Sequence, residues 1–289
     1  MTRPLKTFAV STALAAALLV AAPARPAPTR DALAFHPARP SPAAGAPETA
    51  APEQRLRAIV ALVDQARARA AAPGLSDEER EALADQAWAH ADEALEDPYL
   101  RELAQRDPDF LQIQALLLMD DGEDDAALAV LQRLAVIAPE DPETHLLLAQ
   151  CLMGLGRPAG AVGEYRRALA LGVETAAEVR AHLAHALVVA GHPEEGLAES
   201  ERAIALDPSA YLGHFMRGWI LGEAGRRDEE RREYLEALKL ERDDADLWAL
   251  LALSWERAGE NARAREAWRE VVRIDPSDRE AASKVGENP

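Results

Sequence analysis

Histidines, carboxylates and one cysteine are the side chains of this chain that could do chemistry. His182 and His185 lie three residues apart in a helical stretch and could share a metal ion, but no third ligand follows at helical spacing. The acidic run at 120–125 lacks the alternating oxygens and the distal glutamate of a calcium loop. Cys151 lies among Leu and Met residues, which favours a core position over a reactive thiol. A metal hydrolase site at the two histidines is therefore a weak hypothesis, and we expect a noncatalytic protein with no metal and no cofactor.

Other signatures of catalysis and of charged partners are missing from the sequence. It contains no phosphate-binding glycine loop, no nucleophile elbow and no zinc motif of two histidines with a glutamate. The 32 basic and 50 acidic residues give a net charge of -18, which argues against binding to nucleic acid or to an anionic membrane surface. A single cysteine excludes an intramolecular disulfide framework.

The first residues have the pattern of an export signal. Arg3 and Lys6 precede an apolar stretch at 8–20, and Ala22-Pro23-Ala24 has the small-x-small form of a cleavage site. The apolar run is shorter than the roughly 20 residues needed to cross a bilayer, so we expect a cleaved signal peptide at 1–24; an uncleaved anchor is the alternative. The Arg- and Ala-rich composition is typical of a GC-rich bacterial genome, which predicts an exported, periplasmic or secreted protein.

Seven prolines at 25–52 predict a disordered linker.

From residue 53 onward the chain is a predicted helical repeat. Apolar residues recur at spacings of three and four, and no alternating strand pattern is present. Gly122, Gly156, Gly191, Gly225 and Gly259 follow one another at intervals of about 34 residues, which is typical of paired helices joined by a turn. The intervals define repeats one to five: 108–141, 142–175, 177–210, 211–244 and 245–278.

This pattern resembles the tetratricopeptide repeat (TPR) family. The family places small residues at three positions of each repeat where its two helices cross closely, and twelve of the fifteen such positions here hold Ala or Gly. Leu134, Glu230 and Val271 depart, and Glu230 is expected to splay or re-aim repeat four. The resemblance implies an all-α fold, a right-handed α-solenoid of helix-turn-helix repeats.

Shorter helical segments flank the repeats. A helix is expected at Gln54–Ala72, and a second should begin at the capping box of Ser76 and Glu79 and run to Glu96. With a short piece at Tyr99–Gln105, these segments predict an N-terminal helical cap at 53–107. The C-terminal tail, 279–289, has room for about two turns.

The resemblance also implies that the first helix of each repeat lines a concave groove for ligands. The predicted groove residues are Gln112, Leu116, Met119, Leu146, Gln150, Met153, His185, Val188, Phe215, Trp219, Leu253 and Glu256. Because only Arg257 is basic near these positions, they do not resemble the clamp with which some family members hold acidic tails. Most of the set is apolar.

The aromatic residues fall into two predicted classes. Trp248, Trp255, Trp268, Tyr165 and Tyr234 occupy positions where the family packs large residues between helices, so we expect them in the core. Phe215 and Trp219 are four apart on one helix and could form a binding platform in the groove. The open alternative is that the N-terminal helices or a neighbouring repeat cover both residues.

These expectations favour a noncatalytic adaptor or scaffold that binds an apolar peptide or helix of a partner protein in its groove. Similarity to exported bacterial TPR proteins suggests a role in envelope assembly, secretion or protein maturation. The partner would be a protein or peptide, with no nucleic acid and no membrane insertion after signal cleavage. The alternative is a structural protein that forms homo-oligomers through its thinly capped C-terminal end.

Overall fold

A computed structural model describes residues 51–72 and 74–286, and within these ranges the chain is helical and has no strand. The predicted signal peptide at 1–24 and almost all of the predicted linker at 25–52 lie outside the described residues, as does the end of the C-terminal tail. The chain forms two compact units, an N-terminal unit of Met1–Leu155 and a C-terminal unit of Gly156–Pro289.

Among the residues that the structure describes, the N-terminal unit has six helices. They are α1 (Pro52–Ala70), α2 (Asp77–Glu96), α3 (Pro98–Ala104), α4 (Pro108–Asp120), α5 (Asp124–Ile137) and α6 (Pro142–Gly154). Helix α1 packs against α2, and α4 packs against α5. The predicted capping box is present, since the Ser76 hydroxyl accepts from the Glu79 amide and the Glu79 carboxylate accepts from the Ser76 amide.

Between residues 156 and 286, the described part of the C-terminal unit, there are eight helices. They are α7 (Pro158–Leu171), α8 (Ala176–Val189), α9 (Pro193–Leu206), α10 (Tyr211–Glu223), α11 (Arg227–Leu240), α12 (Ala245–Arg257), α13 (Asn261–Ile274) and α14 (Arg279–Val285). Successive helices pair tightly as α8 with α9, α10 with α11 and α12 with α13. Each of these pairs is one of the predicted repeats.

The glycine turns and the small residues behave as their spacing predicts. All five repeat glycines adopt a left-handed backbone, with φ between 66° and 90°, which lets the chain reverse between the helices of a repeat. All fifteen positions predicted to lie where helices cross are buried, including those of Leu134, Glu230 and Val271. The all-α, paired-helix fold class is therefore confirmed.

The flanking helices differ in how much apolar surface they bury. Helices α1 to α3 share one core with Phe110, Ile113 and Leu117 of α4. Helix α14 has seven residues and buries only Ala281 and Ala282. The predicted two-turn C-terminal helix is thus present, while the capping role of α1 to α3 stays a prediction.

Among the described residues, no helix combines the length and the apolarity that crossing a bilayer requires.

Candidate functional site

In the N-terminal unit the predicted groove residues are only partly accessible. Gln112, Leu116, Met119, Gln150 and Met153 are half-buried, and the side chains of Leu116 and Met119 pack against the apolar core that α4, α5 and α6 share. Leu146 is buried, so it does not offer the open surface expected of it. This face combines thioether, aliphatic and amide groups and carries no charge.

In the C-terminal unit an aromatic pair joins the first helices of repeats three and four. The Trp219 ring of α10 meets the imidazole of His185 on α8 edge to face, with 5.4 Å between ring centroids. One turn earlier on α8, His182 stacks on Tyr165 of α7 at 6.1 Å. Both histidines are half-buried, and Trp219 remains partly exposed.

Burial keeps both imidazoles uncharged near neutral pH. Desolvation, with a smaller contribution from neighbouring His185, lowers the pKa of His182 to about 4. Desolvation likewise lowers the pKa of His185 to about 4. Both imidazoles are then neutral at pH 7, so neither adds a charge beside Trp219.

The Trp219 indole also has a free polar group. In the part of the chain that the structure describes, its N–H makes no hydrogen bond, whereas the indoles of Trp248 and Trp268 donate to Arg242 O and to Glu256 Oε1. Val188 and Leu253, at neighbouring groove positions, are partly exposed and apolar. Trp219 therefore offers an apolar ring and one donor to a ligand.

Phe215 does not share this exposure, and its predicted place on the open platform is wrong. Only 5% of the residue is accessible, because its ring is stacked between Tyr211 at 5.7 Å and Tyr234 at 6.3 Å. Phe215 is thus covered by two rings of its own repeat, and not by the predicted alternative of the N-terminal helices or a neighbouring repeat, while Trp219 stays partly exposed.

Glu256 is also not a free groove residue. Its carboxylate accepts hydrogen bonds from the Lys284 ammonium at 2.9 Å and from the Trp268 indole at 3.0 Å. Partial burial alone would raise its pKa, but these hydrogen bonds hold the pKa below its usual value. Glu256 thus holds α14 against repeat five and is an unsuitable ligand contact.

The predicted core aromatics divide in a similar way. Tyr165, Tyr234 and Trp268 are buried, as expected. Trp248 and Trp255 are only half-buried, so their assignment to the core is wrong in degree. Two guanidinium groups lie over the Trp255 ring, that of Arg231 at 4.5 Å and that of Arg263 at 4.7 Å from its centroid.

Glu230 does not splay repeat four. The carboxylate lies against Gly222 of α10, where an added Cβ would come within 2.8 Å of Glu230 Cδ, so a missing side chain makes room for it. Close packing of the pair is kept, since a Cβ at Gly218 would lie 2.6 Å from the Tyr234 ring. The signal was in the sequence: Gly222 precedes Glu230 by eight residues, at a position where the other repeats carry larger residues.

The side chains considered for chemistry do not converge on a reactive site. No group of three or more potential metal ligands is found within residues 51–72 and 74–286. Cys151 is fully buried, as its apolar neighbours predict, and its thiol donates to Asp124 O at 3.2 Å.

Comparison with known proteins gives matches to one family across both units. Two family models described as tetratricopeptide repeat match residues 118–177 and residues 182–240 and 215–279. The human tetratricopeptide repeat protein 7B is 30% identical over 113 residues, which is 39% of this chain and 13% of that protein. The chain therefore spans only a small part of that curated relative.

Solved structures share the fold at low sequence identity. The type IV pilus biogenesis factor PilW has a TM-score of 0.63 and 17% identity, with coverage of 76% of this chain and 97% of that one. Pseudomonas aeruginosa pilF has a TM-score of 0.54 and 19% identity, with coverage of 65% and 86%. A thermophilic TPR protein from Thermus thermophilus has a TM-score of 0.51 and 23% identity, with coverage of 63% and 97%.

Proposed function

This chain belongs to the tetratricopeptide repeat family, whose fold serves protein–protein interaction, and from that premise we propose that its C-terminal unit binds an uncharged, apolar segment of a partner protein. The bound segment lies along the first helices of repeats three and four and contacts Trp219. The protein is a noncatalytic adaptor, in keeping with the general character of the family.

The observation that carries this proposal is the exposed Trp219 beside a neutral His185. A partly exposed indole in contact with an uncharged imidazole supplies apolar area and a free N–H donor at one place. Aromatic residues of this kind supply much of the binding free energy in protein interfaces. A charged segment would lose its hydration here without gaining an ion pair, which disfavours it.

The test places a photoreactive benzoyl-phenylalanine at position 219 in the full chain and irradiates it in the native cell. We expect a partner captured at 219, and we expect mass spectrometry to place the crosslink in an apolar stretch of that partner. The matched control carries the same residue at Leu235 of α11, which is 39% exposed but lies on the second helix of its repeat. Equal capture at both positions, capture of a charged segment, or no capture at 219 would contradict the proposal.

For location, we propose export to the periplasm or beyond the cell, through a signal peptide at 1–24. Its support is the sequence pattern of charged, apolar and small residues. The fold that the chain shares with a pilus biogenesis factor is compatible with envelope assembly, secretion or protein maturation. Sequencing the N-terminus of the native protein tests this, because a start at Met1 would contradict cleavage.

Self-association through the C-terminal end is a second candidate function. Helix α14 buries two alanines, and its ion pair with repeat five is that of Lys284 with Glu256, so a second copy could replace it at modest cost. Light scattering after size-exclusion chromatography should report the mass of a dimer for the parent chain, and a lower fraction of dimer for Ala281→Asp. A monomer at all concentrations would exclude this candidate.

A further inference from the structure

Repeat four exchanges a large and a small residue between its two helices. At two positions eight residues apart, the other repeats carry a larger residue first and a small one second: Met119 and Ala127, Met153 and Ala161, Val188 and Gly196, Glu256 and Ala264. Repeat four has Gly222 first and Glu230 second. In repeat three a Cβ at Gly196 would lie 2.7 Å from Val188 Cγ2, and in repeat four a Cβ at Gly222 would overlap the Glu230 carboxylate. In repeats three and four one larger side chain lies against the glycine of the crossing, and repeat four supplies it from the opposite helix.

The exchange brings a carboxylate into the interior, where it finds partners on other helices. Glu230 is 4% exposed, and its carboxylate accepts from Ser254 Oγ on α12 at 2.8 Å and from Arg227 Nη1 at 3.1 Å. A buried carboxylate is tolerated only when such donors replace its hydration. Glu230 of α11 therefore touches α10 at Gly222 and α12 at Ser254.

The next residue reinforces the link to α12. Arg231 is 7% exposed, and its Nη1 donates to Ser254 at 3.4 Å while its guanidinium stacks on the Trp255 ring. Its Nη2 donates to Asp228 on its own helix. Two adjacent charged residues of α11 thus hold the same turn of α12.

We infer that Glu230 is a positioning residue that ties α10 to α12, so that repeats four and five open and orient as one block. The tied residues adjoin the groove positions: Gly222 is three residues after Trp219 on α10, and Ser254 directly follows Leu253 on α12. The purpose of the tie, holding Trp219 and Leu253 in fixed register, rests on the proposed function. The tie itself does not depend on any partner.

The first test compares the full chain with two variants by hydrogen exchange read separately over α10–α11 and α12–α14. Ser254→Ala removes the donor and changes little volume. The exchange variant Gly222→Met/Glu230→Ala restores the arrangement of repeats one and two. In both, protection of α12–α14 should fall by about tenfold while α10–α11 keeps its protection, because the link between them is lost.

Several outcomes would overturn the inference. If a variant only destabilised the fold, protection would fall in both segments together. That result would exclude a specific role of Glu230 in coupling α10 to α12. Unchanged protection of α12–α14 in Ser254→Ala would exclude the tie even if the exchange variant did not fold. Glu230→Gln keeps an acceptor for Ser254 and should retain more of the α12–α14 protection than the exchange variant; equal loss in the two would also count against the tie.

The same variants separate this inference from the proposed function. If Ser254→Ala uncouples α12–α14 but the probe at position 219 captures nothing, the tie stands and the groove proposal fails. If the probe captures a partner equally with and without Ser254→Ala, and hydrogen exchange in α12–α14 is unchanged by that substitution, the groove proposal stands and the tie fails.

Discussion

Repeats three and four each consist of two antiparallel-paired helices, but the residues that pack where the two helices cross differ in chemistry. In repeat three Gly196 of α9 packs against the Val188 side chain and the Ala184 backbone carbonyl of α8, and neither partner is charged. In repeat four Glu230 of α11 packs against Gly222 of α10 and carries a charge into the interior. The crossing therefore requires one small residue, which either helix can supply. The larger residue opposite it can be apolar or charged.

The difference also determines what each repeat can do. At Gly196 the three atoms nearest to an added Cβ all belong to α8, the other helix of the same repeat. The Glu230 carboxylate has acceptor capacity left after meeting Arg227, and it uses this capacity on Ser254 of the next repeat. A polar substitution at a close-packed position thus extends the contact beyond its own repeat.

The largest expected effect concerns the first helix of repeat four. Phe215→Ala should lower the free energy of unfolding by about 3–5 kcal/mol, because it empties a site enclosed by Tyr211 and Tyr234. Repeat three has Ala181 at the equivalent position, so its crossing lacks this aromatic stack.

The matched control for Phe215→Ala is Trp219→Ala, one turn away on the same helix. The indole is partly exposed, and we expect a loss under about 1 kcal/mol. Urea unfolding of the two variants measures both changes. Similar losses would place Trp219 in the core and remove the main support for the groove.

Acidification should affect repeat three through its histidines. Because the folded pKa values of His182 and His185 lie near 4, below the ordinary 6.5, the unfolded chain binds protons more readily between these values. The histidines' contribution to stability is therefore present above about pH 6.5 and is lost as the pH falls towards 4. Because solvent reaches both half-buried rings and reduces the effect, we expect a loss of about 1–3 kcal/mol for the pair.

Urea unfolding at pH 7 and pH 4.5 checks the pH effect. Carboxylates titrate in the same range, so the control is the His182→Gln/His185→Gln variant, which retains every carboxylate. Its stability should fall less between the two pH values than that of the parent chain. An equal fall would show that the histidines make no contribution.

An added methyl group tests the apolar crossing of repeat three. Gly196→Ala should cost about 1–3 kcal/mol, because the new Cβ would lie 2.7 Å from Val188 Cγ2 and 2.8 Å from Ala184 O. Trimming the neighbour by Val188→Ala should restore only part of the loss, since the Ala184 carbonyl belongs to the backbone and cannot be removed. Thermal unfolding of the single and double variants checks both expectations, and full restoration would show that the side chain was the whole obstacle.

How much of this could be predicted from sequence depends on whether a residue acts within one repeat. Gly122 and its equivalents, the small residues at the crossings and the Ser76 capping box are set by local geometry, and their predicted roles are confirmed. Phe215 was ambiguous because its burial depends on Tyr211 and Tyr234 closing over it from both sides. Glu256 was misplaced because its partner Lys284 lies 28 residues away, beyond the last repeat, where no periodic pattern indicates a contact.

The smallest expected effect distinguishes two glutamates on opposite sides of the same kind of crossing. Glu256 of repeat five occupies the position of Gly222 in repeat four, but its carboxylate is partly exposed and meets Lys284 and Trp268 near solvent. Exposed pairs of this type contribute about 1 kcal/mol or less. Glu256→Ala should therefore leave the overall unfolding transition almost unchanged and increase hydrogen exchange in α14 alone, because that helix loses its ion pair and keeps only short apolar side chains, Ala281, Ala282 and Val285, against repeat five. Lys284→Ala serves as the control and should reproduce the effect in α14. If Glu256→Ala instead lowered protection in α10 and α11, Glu256 would act across repeats as Glu230 does, and burial would not be what separates the two.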